Sequence, residues 1–164
     1  FAKETDALFL AFENNQMHRN FMGYTSSKTQ LMIGLGVSSI GDSWYSFMQN
    51  VKTLEEYYDA LAQDELPIYR GHILTEEDLT IRKHILDLMC HFETEFSASS
   101  TFTFIHKEIK ERLTDLINDG LVEVKDDKVI VTEKGIPFVR NCCMAFDQDL
   151  KNHSISERLF SKTI

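Results

Sequence analysis

Residues 120–135 read GLVEVKDDKVIVTEKG, and this stretch decides how the second half of the chain folds. LVEV alternates apolar and polar, Asp126-Asp127-Lys128 turns, and VIVT alternates again, which predicts a β-hairpin over about 121–132. Thr132-Glu133-Lys134-Gly135 then launches a helix whose apolar face holds Phe138, Val139, Cys142 and Phe146. Upstream, Ile105, Ile109, Leu113, Leu116 and Ile117 recur at helical spacing and stop at Asn118-Asp119-Gly120. Before them SASST (97–101) reads as a loop. A long amphipathic helix is predicted over 75–96, with Thr75 three residues ahead of Asp78 as a near capping box and Ile81, Ile85, Leu88, Met89, Phe92 and Phe96 on one face. Helix, hairpin, helix is the layout of a winged-helix module.

The first half reads differently. Ala7, Leu8, Leu10, Ala11 and Phe12 predict a short helix ended by Asn14-Asn15. HRNFMGYTSS (18–27) reads as polar and aromatic connection. Leu31-Met32-Ile33, bounded by Gly34 and Gly36, reads as a fully buried strand ending in a Gly-rich turn. Helix, loop, buried strand and Gly turn is the order of one α/β-barrel repeat, in which loops after strand ends carry binding groups. TLEEYYDALAQ (53–63) predicts a further helix, and Pro67 opens an extended stretch, LPIYRGHIL. The composition shifts near 50–70. The fold class is therefore α+β and mainly helical: the last strand/helix portion of a partial α/β barrel over 1–50, followed over 51–164 by a helical, winged-helix-like domain with its hairpin wing.

The chain has 164 residues, 17 Lys+Arg and 26 Asp+Glu, for a net charge of −9. Such a chain is repelled by phosphate backbones and anionic membrane surfaces. In the helix before the hairpin, Lys107, Lys110 and Arg112 are offset by Glu108, Glu111, Asp115 and Asp119, which is no basic footprint for DNA. No nucleic-acid partner is expected. No run reaches the ~18 apolar residues of a membrane span, and no membrane partner is expected either. Cys90, Cys142 and Cys143 form no C-x-x-C pair, consistent with a reduced, cytoplasmic protein. The sequence opens on Phe1 and reads as a piece of a longer chain.

Catalytic signatures are sparse. His84 and His91 lie seven apart on the long helix, but two ligands do not make a zinc site, and a core role outweighs it. Ser38, Ser39 and Ser43 lie near the Gly turn without a G-x-S-x-G elbow or a base. HRNFMGY (18–24) is richer. Arg19, Asn20, Phe21 and Tyr24 have the groups to stack on and hydrogen-bond a planar or anionic ligand; equally, Phe21 and Tyr24 could be core and Arg19 a surface ion pair. Arg70 invites the same two readings, with Glu76 or Glu77 as ion-pair partner.

HRNFMGYT (18–25), IGLGVSSIGDSWYSFMQN (33–50), LPIYRGHILTEEDLTIRKHILDLMC (66–90), GLVEVKDDKVIVTEKG (120–135) and the tail VRNCCMAFDQDLKN…ERLFSKTI together resemble the C-terminal part of the oxygen-independent coproporphyrinogen III oxidases, over essentially the whole chain. The tail element from Arg140 to Asp147 is characteristic of that group. The resemblance implies a radical S-adenosylmethionine enzyme: a partial α/β barrel with a 4Fe–4S cluster and a mainly helical C-terminal domain. It implies oxidative decarboxylation of two propionates of coproporphyrinogen III, through a 5′-deoxyadenosyl radical, to give protoporphyrinogen IX for haem synthesis. The cluster motif C-x-x-x-C-x-x-C is absent, so this piece alone is expected to be inactive and to hold no cofactor. In its parent, expected to be a monomer, the resemblance makes Ile40 a contact to the adenine moiety of S-adenosylmethionine. It also places Phe21 and Met22 near a second S-adenosylmethionine or the substrate; Met22 stands where the family usually has glutamine. Related haem chaperones carry H-N-x-x-Y-W where this chain has His18-Arg19-Asn20-Phe21, which favours the oxidase. A free-standing winged-helix regulator is the third reading, and its charge is wrong.

Overall fold

The structure, a computed structural model, describes residues 3–96 and 103–147. The SASST loop, the side chain of Ile105 and the tail beyond Asp147 lie outside the described residues. Contacts divide the chain into two compact units, the first ending at Arg82 and the second starting at Lys83.

In the first unit, helix α1 (Ala7–Glu13) is capped by Asp6, whose carboxylate accepts from the Leu8 amide. Asn15 at φ 54° turns the chain out of it. The polar-aromatic segment then folds as a hairpin, β1 (His18–Asn20) with β2 (Gly23–Thr25), in antiparallel register His18↔Thr25 and Asn20↔Gly23. Phe21 and Met22 form its two-residue tip. Asn20 Oδ1 accepts from the Met22 amide, and Gly23 sits at φ 137°, where a side chain is disfavoured.

A three-stranded antiparallel sheet follows in the order β3 (Ile40–Asp42), β4 (Ser46–Asn50), β5 (Ile68–Ile73). The run Leu31-Met32-Ile33 makes only a bridge from Met32 to Asp42 on the outer edge of β3, and Leu31 and Ile33 are exposed. The expected buried strand is thus corrected to an edge contact: a continuous apolar run looks the same in sequence whether its second face is covered or bare. Among the described residues every strand pair is antiparallel. Helix α2 (Leu54–Ala62), capped by Thr53, connects β4 to β5 as predicted, and the pairing of β5 with β4 keeps residues 51–82 in the first unit although the composition changes near 50–70.

Helix α3 (Glu76–His91) starts at the Thr75/Asp78 capping box: the Asp78 amide donates to Thr75 Oγ1 and Asp78 Oδ2 accepts from the Thr75 amide. It ends five residues short of the predicted 96. Phe92 adopts φ 61°, and residues Glu93–Glu95 form strand β6. The i, i+4 spacing of Phe92 and Phe96 fits a helix, but β8 captures this segment by cross-strand hydrogen bonds, with Val131 donating to the Phe92 carbonyl.

The second unit adds α4 (Thr103–Arg112), α5 (Thr114–Asn118), β7 (Val122–Lys125) and β8 (Lys128–Val131) in a sheet of order β6-β8-β7. The hairpin stands where the sequence put it; the helix before it is split at Leu113. The final predicted helix begins as a 3-10 turn (Glu133–Phe138) and becomes α6 (Val139–Met144) only beyond Pro137, which has no amide to donate. Leu88, Ile109, Leu113, Val129, Cys142 and Phe146 are wholly buried and form this unit's core. Both units mix helix and strand, so the chain is less helical than composition and periodicity suggested. No helix among the described residues is long and apolar enough to cross a membrane.

Candidate functional site

The antiparallel register places residues from three strands in rows on one face of the first sheet. Ile40, Gln49 and Arg70 stand opposite one another, and two residues along, Asp42, Phe47 and His72 do the same. Between Gln49 and Asn50 the register shifts, leaving Tyr69 as an extra residue on β5. Such a bulge re-aims the strand beside it, here the start of the Arg70-Gly71-His72 segment.

A cavity of about 290 Å³ opens on this face, lined by Phe21, Ile40, Phe47, Gln49, Arg70 and His72 among others. The β1–β2 hairpin supplies Phe21, whose ring meets Phe47 edge-on at 5.0 Å. Of the residues singled out in sequence, Phe21 (51% exposed) and Ile40 (36% exposed) are brought together here, while Met22, 87% exposed, stays outside on the hairpin tip. Arg19 lies over the Tyr24 ring at 5.6 Å, and its Nε is buried without a hydrogen-bond partner among the described residues.

The Gly-rich segment before Ile40 is held by β4 and α2. Asn50, buried, donates through Nδ2 to the carbonyls of Gly34 and Gly36 at 3.0 and 2.9 Å, and the Gly36 amide donates to the Tyr57 hydroxyl at 3.1 Å. A Cβ on Gly34 would lie 2.8 Å from the Ile40 carbonyl oxygen, so the loop packs directly on the strand that carries Ile40. This close approach is why glycine stands there.

Beside the cavity Arg82 locks the sheet face. Its guanidinium donates to Asp42 Oδ1 and Oδ2 at 3.1 and 2.7 Å and to the Trp44 carbonyl at 3.1 Å. It also lies over the rings of Trp44 and Phe47, at 4.4 and 5.0 Å from their centroids. Asp42 Oδ1 accepts from the Trp44 amide, holding a turn in which Trp44 has φ 67°. His18 lies 6.2 Å from the Trp44 ring; burial, then Lys28 and Arg82, push its pKa below 6.5, against a smaller upward pull from Asp42.

Asp42, Phe47, His72 and Arg82 were not apparent from sequence, because β3, β4 and β5 are short and their rows join residues 20–40 positions apart. The extended reading after Pro67 was the available signal for β5. Arg70 does not pair with Glu76 or Glu77; its Nε donates to Gln49 Oε1 at 3.0 Å. The serines near the Gly turn hydrogen-bond one another or the backbone, as in the 2.7 Å Ser43–Ser46 hydroxyl pair. In the second unit His84 is a core residue, buried beside Phe96 and Phe146 and hydrogen-bonded through Nδ1 to the Thr94 hydroxyl at 2.8 Å. Among the described residues no cluster of His, Cys, Asp or Glu could hold a metal ion.

The whole chain is similar to curated proteins named oxygen-independent coproporphyrinogen III oxidase. Those of Salmonella typhimurium and Synechocystis sp. are 34% and 35% identical, each over 100% of this chain and 37% of their own length. A solved structure of coproporphyrinogen III oxidase from Escherichia coli, described as a radical SAM enzyme, superposes with a TM-score of 0.83 at 34% identity, covering 91% of this chain and 36% of that one. No family model matches the chain. The chain is thus a full-length homologue of about a third of these proteins and spans well under two thirds of the relatives it matches.

Proposed function

We propose that this chain is the C-terminal part of an oxygen-independent coproporphyrinogen III oxidase, a cytoplasmic radical S-adenosylmethionine oxidoreductase of porphyrin and haem biosynthesis. The reaction of the parent is the oxidative decarboxylation of two propionates of coproporphyrinogen III to vinyl groups. The observation that carries this reading is the agreement of sequence and fold with such oxidases from end to end of the described residues. In the parent, residues 1–50 form the edge of a partial α/β barrel. Residues 51–164 form the C-terminal domain, with its winged-helix-like portion built on the β7–β8 hairpin and the neighbouring helices.

The cavity fits one of the implied cofactors and the cysteines do not fit the other. Phe21, Ile40 and Phe47 offer apolar walls to a flat aromatic base, while Gln49 and Arg70 offer polar groups to a charged amino-acid moiety. Ile40 and Phe21 are therefore assigned to S-adenosylmethionine, with Met22 beside them at the hairpin tip. When bound, that cofactor supplies the radical chemistry. The chain's own part is to seat the ligand against the sheet face, fix its orientation through the Asn50-held loop, and keep water from its apolar side. Cys90 and Cys142 are buried among core side chains, and burial pushes the Cys142 thiol up in pKa, away from the thiolate an iron–sulfur site requires. The 4Fe–4S cluster is assigned to the remainder of the parent.

The test is anaerobic incubation of the longer protein that carries this chain, with a reductant, S-adenosylmethionine and coproporphyrinogen III. The expected result is protoporphyrinogen IX, read as protoporphyrin fluorescence after oxidation, with release of carbon dioxide. Haem binding without decarboxylation would overturn the assignment.

A further inference from the structure

The lining of the first-unit cavity has an unbalanced charge. Arg70 and His72 are its ionisable side chains, and no carboxylate lines it. His72 is already engaged, with Nε2 3.2 Å from Asp78 Oδ2. Arg70 is held from one side only: Gln49 Oε1 accepts from its Nε, and Gln49 is itself anchored through Nε2 to the Ser38 carbonyl at 3.3 Å. Neither terminal nitrogen of Arg70 has a hydrogen-bond partner among the described residues, and no ion pair includes it there. The guanidinium is thus oriented by a side chain of its own sheet row while its outer fork faces the opening. Gly71 next to it lets β5 approach β4 closely, since a Cβ there would lie 3.1 Å from the Phe47 carbonyl oxygen.

A planar fork with two unfilled donors is matched in geometry by a carboxylate, which accepts both N–H groups at once. The apolar walls formed by Phe21, Ile40 and Phe47 match a hydrophobic body attached to that carboxylate. The chain carries a net charge of −9, so an acidic ligand meets overall repulsion and needs a local cation to be retained. We propose that Arg70 is a specificity-determining residue of this cavity, which takes the carboxylate of an amphipathic acid whose apolar part rests on Phe21 and Ile40. The proposal rests on the function assigned above. In that setting the carboxylate comes from one of two sources, a propionate of the tetrapyrrole or the amino-acid end of S-adenosylmethionine.

Binding to the longer protein distinguishes these sources without turnover. Wild type, Arg70→Gln and Arg70→Lys are compared by equilibrium dialysis with coproporphyrin III and its tetramethyl ester, and with S-adenosylmethionine and its decarboxylated form. Arg70→Gln should weaken one acid about tenfold or more while leaving its carboxylate-free counterpart unchanged, and Arg70→Lys should recover part of the loss. The acid that responds identifies the source. Unchanged binding of both acids to Arg70→Gln, an equal loss for acid and counterpart, or no binding of either acid to wild type would each overturn the proposal. Turnover of coproporphyrinogen III by wild type separates the two levels: with turnover intact and Arg70 without effect, the enzyme assignment stands and the carboxylate role falls.

Discussion

Removing Arg82 tests whether the candidate site is held up by a paired charge. Its guanidinium meets both oxygens of Asp42, at 3.1 and 2.7 Å, and the two side chains are only 13% and 10% exposed. At an effective dielectric constant of ~20, two unit charges ~4 Å apart attract by about 4 kcal/mol, and desolvation of both ions offsets much of that. Arg82→Ala keeps the desolvation of Asp42 and discards its partner, a loss of about 3–5 kcal/mol. Two stacked rings go with it, at roughly 0.5–1 kcal/mol each. That approaches the whole stability of a small folded unit, about 5–15 kcal/mol. Asp42→Asn should cost less, since an amide oxygen can still accept from the Trp44 amide. In a cycle with Asp42→Ala, the double variant should be more stable than the sum of the single losses predicts, by about 2–3 kcal/mol. Urea unfolding followed by circular dichroism and by the single tryptophan, Trp44, measures all four proteins. A loss below ~1 kcal/mol for Arg82→Ala, in the range of exposed pairs, or strict additivity in the cycle would refute the argument.

Other predictions address separate parts of the chain. The folded pKa of His18 lies below its unfolded value of 6.5, so within the window under 6.5 the unfolded chain binds more protons. Stability from this group is complete above 6.5 and is lost as the pH falls toward the folded value; His18→Gln should flatten that part of the urea-midpoint profile, and an unchanged slope would assign it elsewhere. Cys142 is buried with its pKa raised by burial, so native alkylation followed by mass spectrometry should find it protected until denaturant is added; rapid native labelling would contradict the packing. Gly135→Ala would drive a Cβ into the Leu121 carbonyl oxygen, at the seam between the 3-10 turn and the end of α5. Thermal unfolding should show a loss of roughly 2 kcal/mol or more, in the upper range for overpacking, and a neutral effect would mean that the turn shifts freely.

The sequence was most legible where a segment decides its own structure. The hairpin at 122–131 follows from alternation on either side of a two-Asp turn, and α2 and the start of α3 follow from apolar spacing behind threonine caps. It was least legible where a partner decides. Residues 92–96 continue the helical spacing of α3 yet go to β8, and Leu31-Met32-Ile33 has the composition of a buried strand yet finds one bridge at an open edge. In both places local propensity is satisfied by either outcome, and the hydrogen bonds available from a distant strand settle it.

The candidate site belongs to the second kind. Phe21 and Ile40 stood out through their resemblance to a family's motif blocks, and the fold supplies a physical reason for them to act together: a hairpin tip edge-on to Phe47 and a strand start beneath a glycine loop. Arg70 could be read as either a surface ion-pair partner or a ligand group, because Glu76 and Glu77 lie six and seven residues away along the chain. The register decides between them. Pairing β5 with β4 puts Gln49, not a carboxylate, directly across from Arg70, and the bulge at Tyr69 sets where that row begins. A neutral partner orients the guanidinium without neutralising it, which leaves its charge available to whatever enters the cavity.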